Sequence, residues 1–499
     1  MASKIAKNTI LLYLRMVLVM LINLLVVRIV FNALGEVDYG IYNIIAGVVI
    51  MFQGISTVLT TSTQRFYSYY IGANLKEQLS DIYTVSINIY AIFCFCSFVV
   101  AETLGIWFIN NFLEIPDDRI VAANLLYQFS IIAFIFTVLQ APFSSIFLSF
   151  EDMNLFAIVS MIDAFMKLIF SWLIYMSNRD RLILYGIVLM SISIFSFLIY
   201  NIICHKKYDV CNYHRLKDKN LYKQLLSFSG WHLFSSMASV GMNQINNFLV
   251  NIFFGVIANA SRAIALQINS ALSSFSGNFI LAIRPPMIKA YAEGNYKKLN
   301  TLFALSNKTV YYLMLAIILP TYFTMDTVLK LWLGNVDGQA VFFSKLILIY
   351  ALILSINNPI SIIIQATGQI QKYYIYVETF TLLCPIATYI FYRYGFPVEY
   401  TFYCMIASIS LAHIIRLICL HRVYEKFDVK EYFMGFIIPA LFITMIAIVV
   451  MSYISGKDVP FMVFYIIAIV TIISLAVLLG LNTRERGILG KEVVKILHK

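Results

Sequence analysis

The segment Met434–Met451, MGFIIPALFITMIAIVVM, carries no charged side chain, and neither does Ile466–Leu481, IIAIVTIISLAVLLGL. A helix needs about 20 predominantly apolar residues to cross about 30 Å of hydrocarbon at about 1.5 Å per residue. These two runs are therefore read as membrane-crossing helices. A closed β-barrel would read instead as alternating segments of about ten residues. Similar runs recur along the 499-residue chain, which is 61% hydrophobic and 12% charged. Soluble chains carry about 25% charged residues, so lipid must solvate most of the exterior. The fold class expected is an all-α integral membrane protein with about 14 transmembrane helices.

The spans fall near 9–31, 40–60, 82–104, 121–147, 155–176, 182–203, 226–253, 257–283, 303–324, 341–365, 373–392, 400–420, 433–453 and 460–481. Lys and Arg are unevenly shared between the loops. With the N-terminus inside, roughly 23 lie inside and roughly 6 outside, as the positive-inside rule demands. The inner set includes Lys4, Lys7, Arg65, the cluster Lys206–Lys223 and the tail Arg484–Lys499. The net charge of +11 is thus a topology signal and calls for no nucleic-acid partner. Both termini are expected in the cytoplasm, and the first span reads as a retained helix. The seven cysteines form no disulfide or zinc pattern.

One long polar stretch, Cys204–Gln224, divides six spans from eight. Short matches recur across it. Tyr70-Ile-Gly-Ala-Asn74-Leu-Lys76 answers to Tyr291-Ala-Glu-Gly-Asn295-Tyr-Lys297, Gly35 to Gly255, and Pro142-Phe-Ser144 to Pro359-Ile-Ser361. Parallel repeats of this kind relate two bundles by an axis along the membrane normal. The expected organisation is an N-terminal six-helix bundle (1–203), a cytoplasmic linker (204–224) and a C-terminal six-helix bundle (225–421). Residues 422–499 add a helix pair and a cytoplasmic tail. The two pseudo-symmetric bundles would enclose a central cleft, lined by the more polar spans. Prolines 142, 285, 286 and 359 are expected to break or kink their helices.

No phosphate loop, HExxH, DxD or nucleophile–base constellation is present, and no outer loop is long enough for a catalytic domain. That excludes the common enzyme classes, including a glycan polymerase or ligase, and leaves transport; no cofactor or metal is expected. The candidate substrate-binding residues are the polar exceptions within spans. Arg15 and Arg28 in span one either face the cleft or snorkel to the two interfaces. Asp163 and Lys167 share a face of span five by their i,i+4 spacing. They form either an inert pair that fixes the helix rotation, or a lumen pair in which Lys167 meets an anionic substrate and Asp163 takes up a proton. Spans seven and eight are dense in amides and hydroxyls, among them Asn243, Asn246, Asn259 and Gln267, with Arg262 as a further cation. These either bond helix to helix or hydrogen-bond a sugar-like solute. His232 reads as a satisfied histidine, and Glu378 as an interfacial carboxylate.

Several motifs resemble those of bacterial polysaccharide flippases of the O-antigen and capsule type. They belong to the polysaccharide transporter family of the multidrug/oligosaccharidyl-lipid/polysaccharide exporter superfamily. The motifs are Asn32-Ala-Leu-Gly35-Glu-Val-Asp-Tyr39-Gly40-Ile-Tyr42, Ser62-Thr-Gln64-Arg65-Phe66 and Gly255-x-x-Ala258-Asn259-Ala-x-Arg262-Ala263-Ile264-Ala265. Arg284-Pro285-Pro286-x-x-Lys289-x-Tyr291-Ala292 and Gln365-Ala366-Thr367-Gly368 complete the set. The resemblance implies translocation of undecaprenyl-pyrophosphate-linked oligosaccharide from the cytoplasmic to the outer leaflet of the bacterial inner membrane. Alternating access, coupling to H+ or Na+, and polymerase or glycosyltransferase partners are implied with it. The alternative on the same fold is a cation-coupled multidrug antiporter, which would want isolated deep carboxylates.

Overall fold

The computed structural model describes residues 2–112, 115–177, 179–216, 218–333, 338–457, 459–482 and 485–486. Among them every regular element is helical. The basic tail Arg484–Lys499 lies outside the described residues, apart from Glu485 and Arg486, as do the side chains of Lys4 and Lys7. The chain divides into two compact units, Asn8–Leu233 and Phe234–Lys499 with Met1–Lys7.

The N-terminal unit is built from α1 (Ala2–Gly72), α2 (Leu79–Val100), α3 (Ile106–Phe112), α4 (Ile120–Ser149), α5 (Met153–Tyr175) and α6 (Arg181–Lys207). α2 and α3 join through a π-helical turn, Ala101–Gly105, and the Tyr127 hydroxyl donates to the Ala101 carbonyl at 2.8 Å. Such a hydroxyl satisfies backbone that lipid could not. At one end, Arg119 clasps two carboxylates distant in sequence, Asp38 of α1 at 2.5 Å and Asp180 before α6 at 2.7 Å. Asp180 also caps α6, accepting from the amides of Leu182 and Ile183. At the other end, the polar stretch after α6 is seated on this unit. The Tyr208 hydroxyl donates to Asp152, Lys207 pairs with Asp152 at 3.0 Å, and His214 contacts Asp81 at 2.8 Å.

The C-terminal unit takes most of α7 (Lys219–Ala292), then α8 (Tyr296–Phe323), α9 (Met325–Leu333), α10 (Gly338–Ser355) and α11 (Asn357–Thr367). It closes with α12 (Gln371–Arg393), α13 (Tyr400–Val423), α14 (Val429–Tyr432), α15 (Ile438–Ser455) and α16 (Phe461–Leu475). Its core packs Val250, Ala258 and Ala265 of α7 against Phe343 and Ile347 of α10 and Phe402 and Met405 of α13.

Among the described residues, eleven helices are long and apolar enough to cross a membrane. The three other expected spans lie in the second arm of α1 and the two arms of α7. Each long helix breaks at one glycine, Gly35 at φ 76, ψ 176 and Gly255 at φ 81, ψ −172. Non-glycine residues avoid this region. A Cβ would meet nothing within 4 Å at either position, so the torsion selects glycine and crowding does not.

The helix ends repeat as well. After α1 the Leu75 amide donates to the Tyr70 carbonyl at 3.0 Å, across Asn74 at φ 59. After α7 the Asn295 amide donates to the Ala290 carbonyl at 3.0 Å, across Gly294 at φ 68. These are six-to-one bonds of a helix C-cap. Asn74 and Gly294 are 220 residues apart, as are Gly35 and Gly255. The backbone therefore shifts by one residue the pairing of Asn74 with Asn295 that side-chain identity suggests. Left-handed torsion is what recurs, and asparagine or glycine supplies it; Asn295 instead caps α8, accepting from the Lys298 amide.

Three of the four prolines lie inside continuous helices and the fourth beside a break. Pro142 lies within α4, and Pro285 and Pro286 lie within α7, without ending either helix. Pro359 stands in the first turn of α11, just after the break at Ile356. Neighbouring helices re-satisfy the backbone groups a proline frees.

Alanine at Gly35 or Gly255 should cost roughly 1–3 kcal/mol through torsional strain alone. Thermal unfolding of the two purified variants should show comparable losses. Equal stability of wild type and both variants would refute the torsional role.

Candidate functional site

In the N-terminal unit the sequence candidates meet across α1, α5 and α6. Arg15 is half-buried; its Nε donates to Ser160 Oγ of α5 at 2.5 Å and its guanidinium lies 4.7 Å from the Phe156 ring centre. One turn along α5, Lys167 Nζ pairs with Asp163 Oδ2 at 2.8 Å. The other carboxylate oxygen of Asp163 accepts from Ser196 Oγ of α6 at 3.0 Å. Tyr200, buried on α6, lies within electrostatic reach of both Arg15 and Asp163. Lys167 remains 37% exposed while Asp163 is engaged on both oxygens. The ammonium, with three N–H donors and the one carboxylate partner, is therefore the group of the pair with a donor to offer a solute. Arg28, farther along α1, is exposed and forms no ion pair among the described residues.

The candidates of spans seven and eight form a second group, within the C-terminal unit. Arg262 is 1% exposed. Its Nη2 donates to the Asn243 carbonyl at 3.2 Å and its Nη1 reaches Asn247 Oδ1 at 3.5 Å, while Nε has no partner among the described residues. Tyr392 and Cys384 complete its surroundings. No carboxylate bonds it among the described residues, so amide and carbonyl dipoles alone hold the charge. Asn246, fully buried, donates to Cys384 Sγ at 3.6 Å. The Oδ1 atoms of Asn243, Asn246 and Asn259 are buried without partners among the described residues. Gln267 is exposed.

A third network lies where spacing along the sequence carried no signal. Glu378 of α12 is 3% exposed, and Ser235 Oγ of α7 donates to its Oε1 at 2.5 Å. The expected interfacial carboxylate is thus a buried one, compensated by this hydroxyl and by the charge of Arg416 on α13. Arg416 Nε donates to the Tyr373 hydroxyl at 3.2 Å, which contacts Ser361 Oγ at 2.7 Å. His413 Nδ1 contacts Asn357 Oδ1 at 2.7 Å, and Arg284 lies near Tyr374. Of the charged residues among these, the sequence singled out Glu378 and, within a motif, Arg284; the pairing across helices has no periodicity to reveal it.

No protein-family model matches the sequence, and no curated protein does either. Solved structures do match. A MATE transporter in complex with MaD3S superposes with a TM-score of 0.74 at 15% identity, over 85% of this chain and 96% of that one. An outward-facing multidrug resistance MATE family transporter of the MOP superfamily gives 0.73 at 15% identity, over 85% and 96%. A MOP superfamily transporter from Pyrococcus furiosus Vc1, described as having a binding pocket of reverse polarity that suggests a different function, gives 0.71 at 16% identity, over 84% and 95%. The chain therefore has the multi-pass fold of MATE transporters of the MOP superfamily.

Neutralising one member of the Asp163–Lys167 pair should destabilise more than neutralising both. Partial exposure limits the coupling to about 1 kcal/mol. A double-mutant cycle of Asp163→Asn and Lys167→Gln, read by thermal unfolding, measures it. Strict additivity would contradict the pairing.

Proposed function

We propose that this protein is a flippase that carries undecaprenyl-pyrophosphate-linked oligosaccharide units from the cytoplasmic to the outer leaflet for surface polysaccharide synthesis. It is a transporter in this reading, not an enzyme. The observation that carries it is the sign of charge inside the N-terminal spans. Arg15, Arg28 and Lys167 stand against two acids: Asp163, whose oxygens already accept from Lys167 and Ser196, and Glu102 at the end of the third span, which accepts from Gln128 at 3.1 Å. A pyrophosphate wants cationic donors, and its sugars want amides and hydroxyls. In this reading Arg15, Arg28 and Lys167 attract the pyrophosphate. Asn243, Asn246, Asn259 and Gln267 face the glycan, and Arg262 holds the α7 arms in register for them.

Residues 1–203 and 225–421 would act as six-helix bundles that alternate about a central cleft, with 422–499 as an appended pair and tail. Coupling to H+ or Na+, a bacterial inner-membrane location with cytoplasmic termini, and polymerase or glycosyltransferase partners belong to the same proposal. The neighbour whose pocket polarity is described as reversed supports the idea that pocket charge varies on this fold.

A second reading, a cation-coupled multidrug antiporter, draws on the likeness to a multidrug resistance transporter and on buried Glu378. One experiment separates the two. Deletion of the gene should leave lipid-linked repeat units accumulated on the cytoplasmic leaflet. Normal export, together with hypersensitivity to cationic dyes, would overturn the flippase and favour the antiporter.

A further inference from the structure

A cavity of about 320 Å³ opens beside the start of α8, α14 and the end of the last span, all within the C-terminal unit. It is small for a glycan but lies at the lower end of ligand-pocket sizes. Its floor holds Lys308, 2% exposed, paired with Glu485 at 2.7 Å; Glu485 also accepts from the Asn482 amide at 2.7 Å. That pair neutralises itself.

What remains is unbalanced. Asn307 lines the cavity at 0% exposure; its Nδ2 donates to the Phe303 carbonyl at 2.8 Å, and its Oδ1 has no donor among the described residues. The rim carries exposed Asp428 and Glu431, and Glu431 forms no ion pair among the described residues. The wall is aromatic. Phe303 stacks on Tyr432 with centroids 5.9 Å apart, and Phe427 and Phe436 lie 5.7 and 5.5 Å from Tyr432.

Aromatic faces with carboxylates at the mouth attract an organic ammonium. The unsatisfied Asn307 acceptor asks for an N–H donor, which a primary ammonium has and a trimethylammonium lacks. Lys297, also on the rim, supplies a cation for a neighbouring phosphate. The ligand chemistry is therefore an aminoethyl phosphate.

The same helical turns point to its source. Beside the lining residues Glu431 and Tyr432, the neighbouring Phe433 and Met434 are 42% and 61% exposed apolar side chains. They provide a place for acyl chains at the mouth. The charge bias of the loops assigns this end of the spans to the cytoplasmic side.

We propose that this cavity binds the headgroup of an ethanolamine phospholipid of the cytoplasmic leaflet, a lipid site separate from the proposed transport residues. The test is native mass spectrometry of the full chain, released from detergent after exposure to equimolar ethanolamine, glycerol and choline phospholipids with matched acyl chains. The ethanolamine lipid should be retained about threefold to tenfold over the other two, the range of a cation–π contact with a hydrogen bond. Glu431→Gln, on the exposed rim where folding is not at stake, and Asn307→Leu should each reduce that preference toward parity. Equal retention of the three lipids would overturn the proposal. So would a preference unchanged in Glu431→Gln, or equal binding of the choline lipid. Binding of soluble phosphoethanolamine with no preference among the lipids would overturn the lipid source.

Discussion

Hydrocarbon offers no hydrogen bonds, so every polar group within a span must find its partner in the protein or in a water-filled space. Much of this molecule's architecture answers to that constraint. Asp163 meets Lys167 and Ser196, Glu378 meets Ser235 beside Arg416, and Arg262 is held by the carbonyl and amide oxygens of α7. The Tyr127 hydroxyl serves a carbonyl in the π-helical turn of the third span. The two helix breaks fall between spans, where a single glycine turns the chain.

The constraint also separates structural charges from available ones. Arg262 is sealed among dipoles and packed residues, and removing it would leave Asn247 and the Asn243 carbonyl without their donor. Lys167 is different. Its partner is engaged twice over, while the lysine side chain keeps more than a third of its surface. Arg15 lies between, held by Ser160 yet only half-buried. A cationic N-terminal unit and an amide-rich C-terminal one are what an anionic glycolipid would need from a transporter. A cationic drug would need the reverse.

The all-helical membrane fold was legible because apolar runs of span length leave few alternatives, and Gly35 and Gly255 were legible because torsion restricts the residue type. Their repeat register was misread by one at Asn74, since side-chain identity and backbone geometry parted company there. Spacing along one helix found the Asp163–Lys167 pair. The pairing of Glu378 with Ser235, and the position of Arg416 beside it, lie across helices distant in sequence, where periodicity is silent. Composition marked Arg262 as one of several polar residues and gave no sign that it is among the most deeply buried side chains. Only packing decides which face of α7 is sealed.

The central claim is that cations on α1 and α5 draw an anionic glycolipid across the membrane. Its most direct test is the purified protein in vesicles loaded on one leaflet with an undecaprenyl-pyrophosphate oligosaccharide, with transfer read by access of an external glycan-modifying enzyme. Wild type should bring the two leaflets toward equality, and Lys167→Glu should slow transfer at least tenfold at equal protein incorporation. Transfer no faster than in protein-free vesicles, or undiminished in Lys167→Glu, would contradict the account.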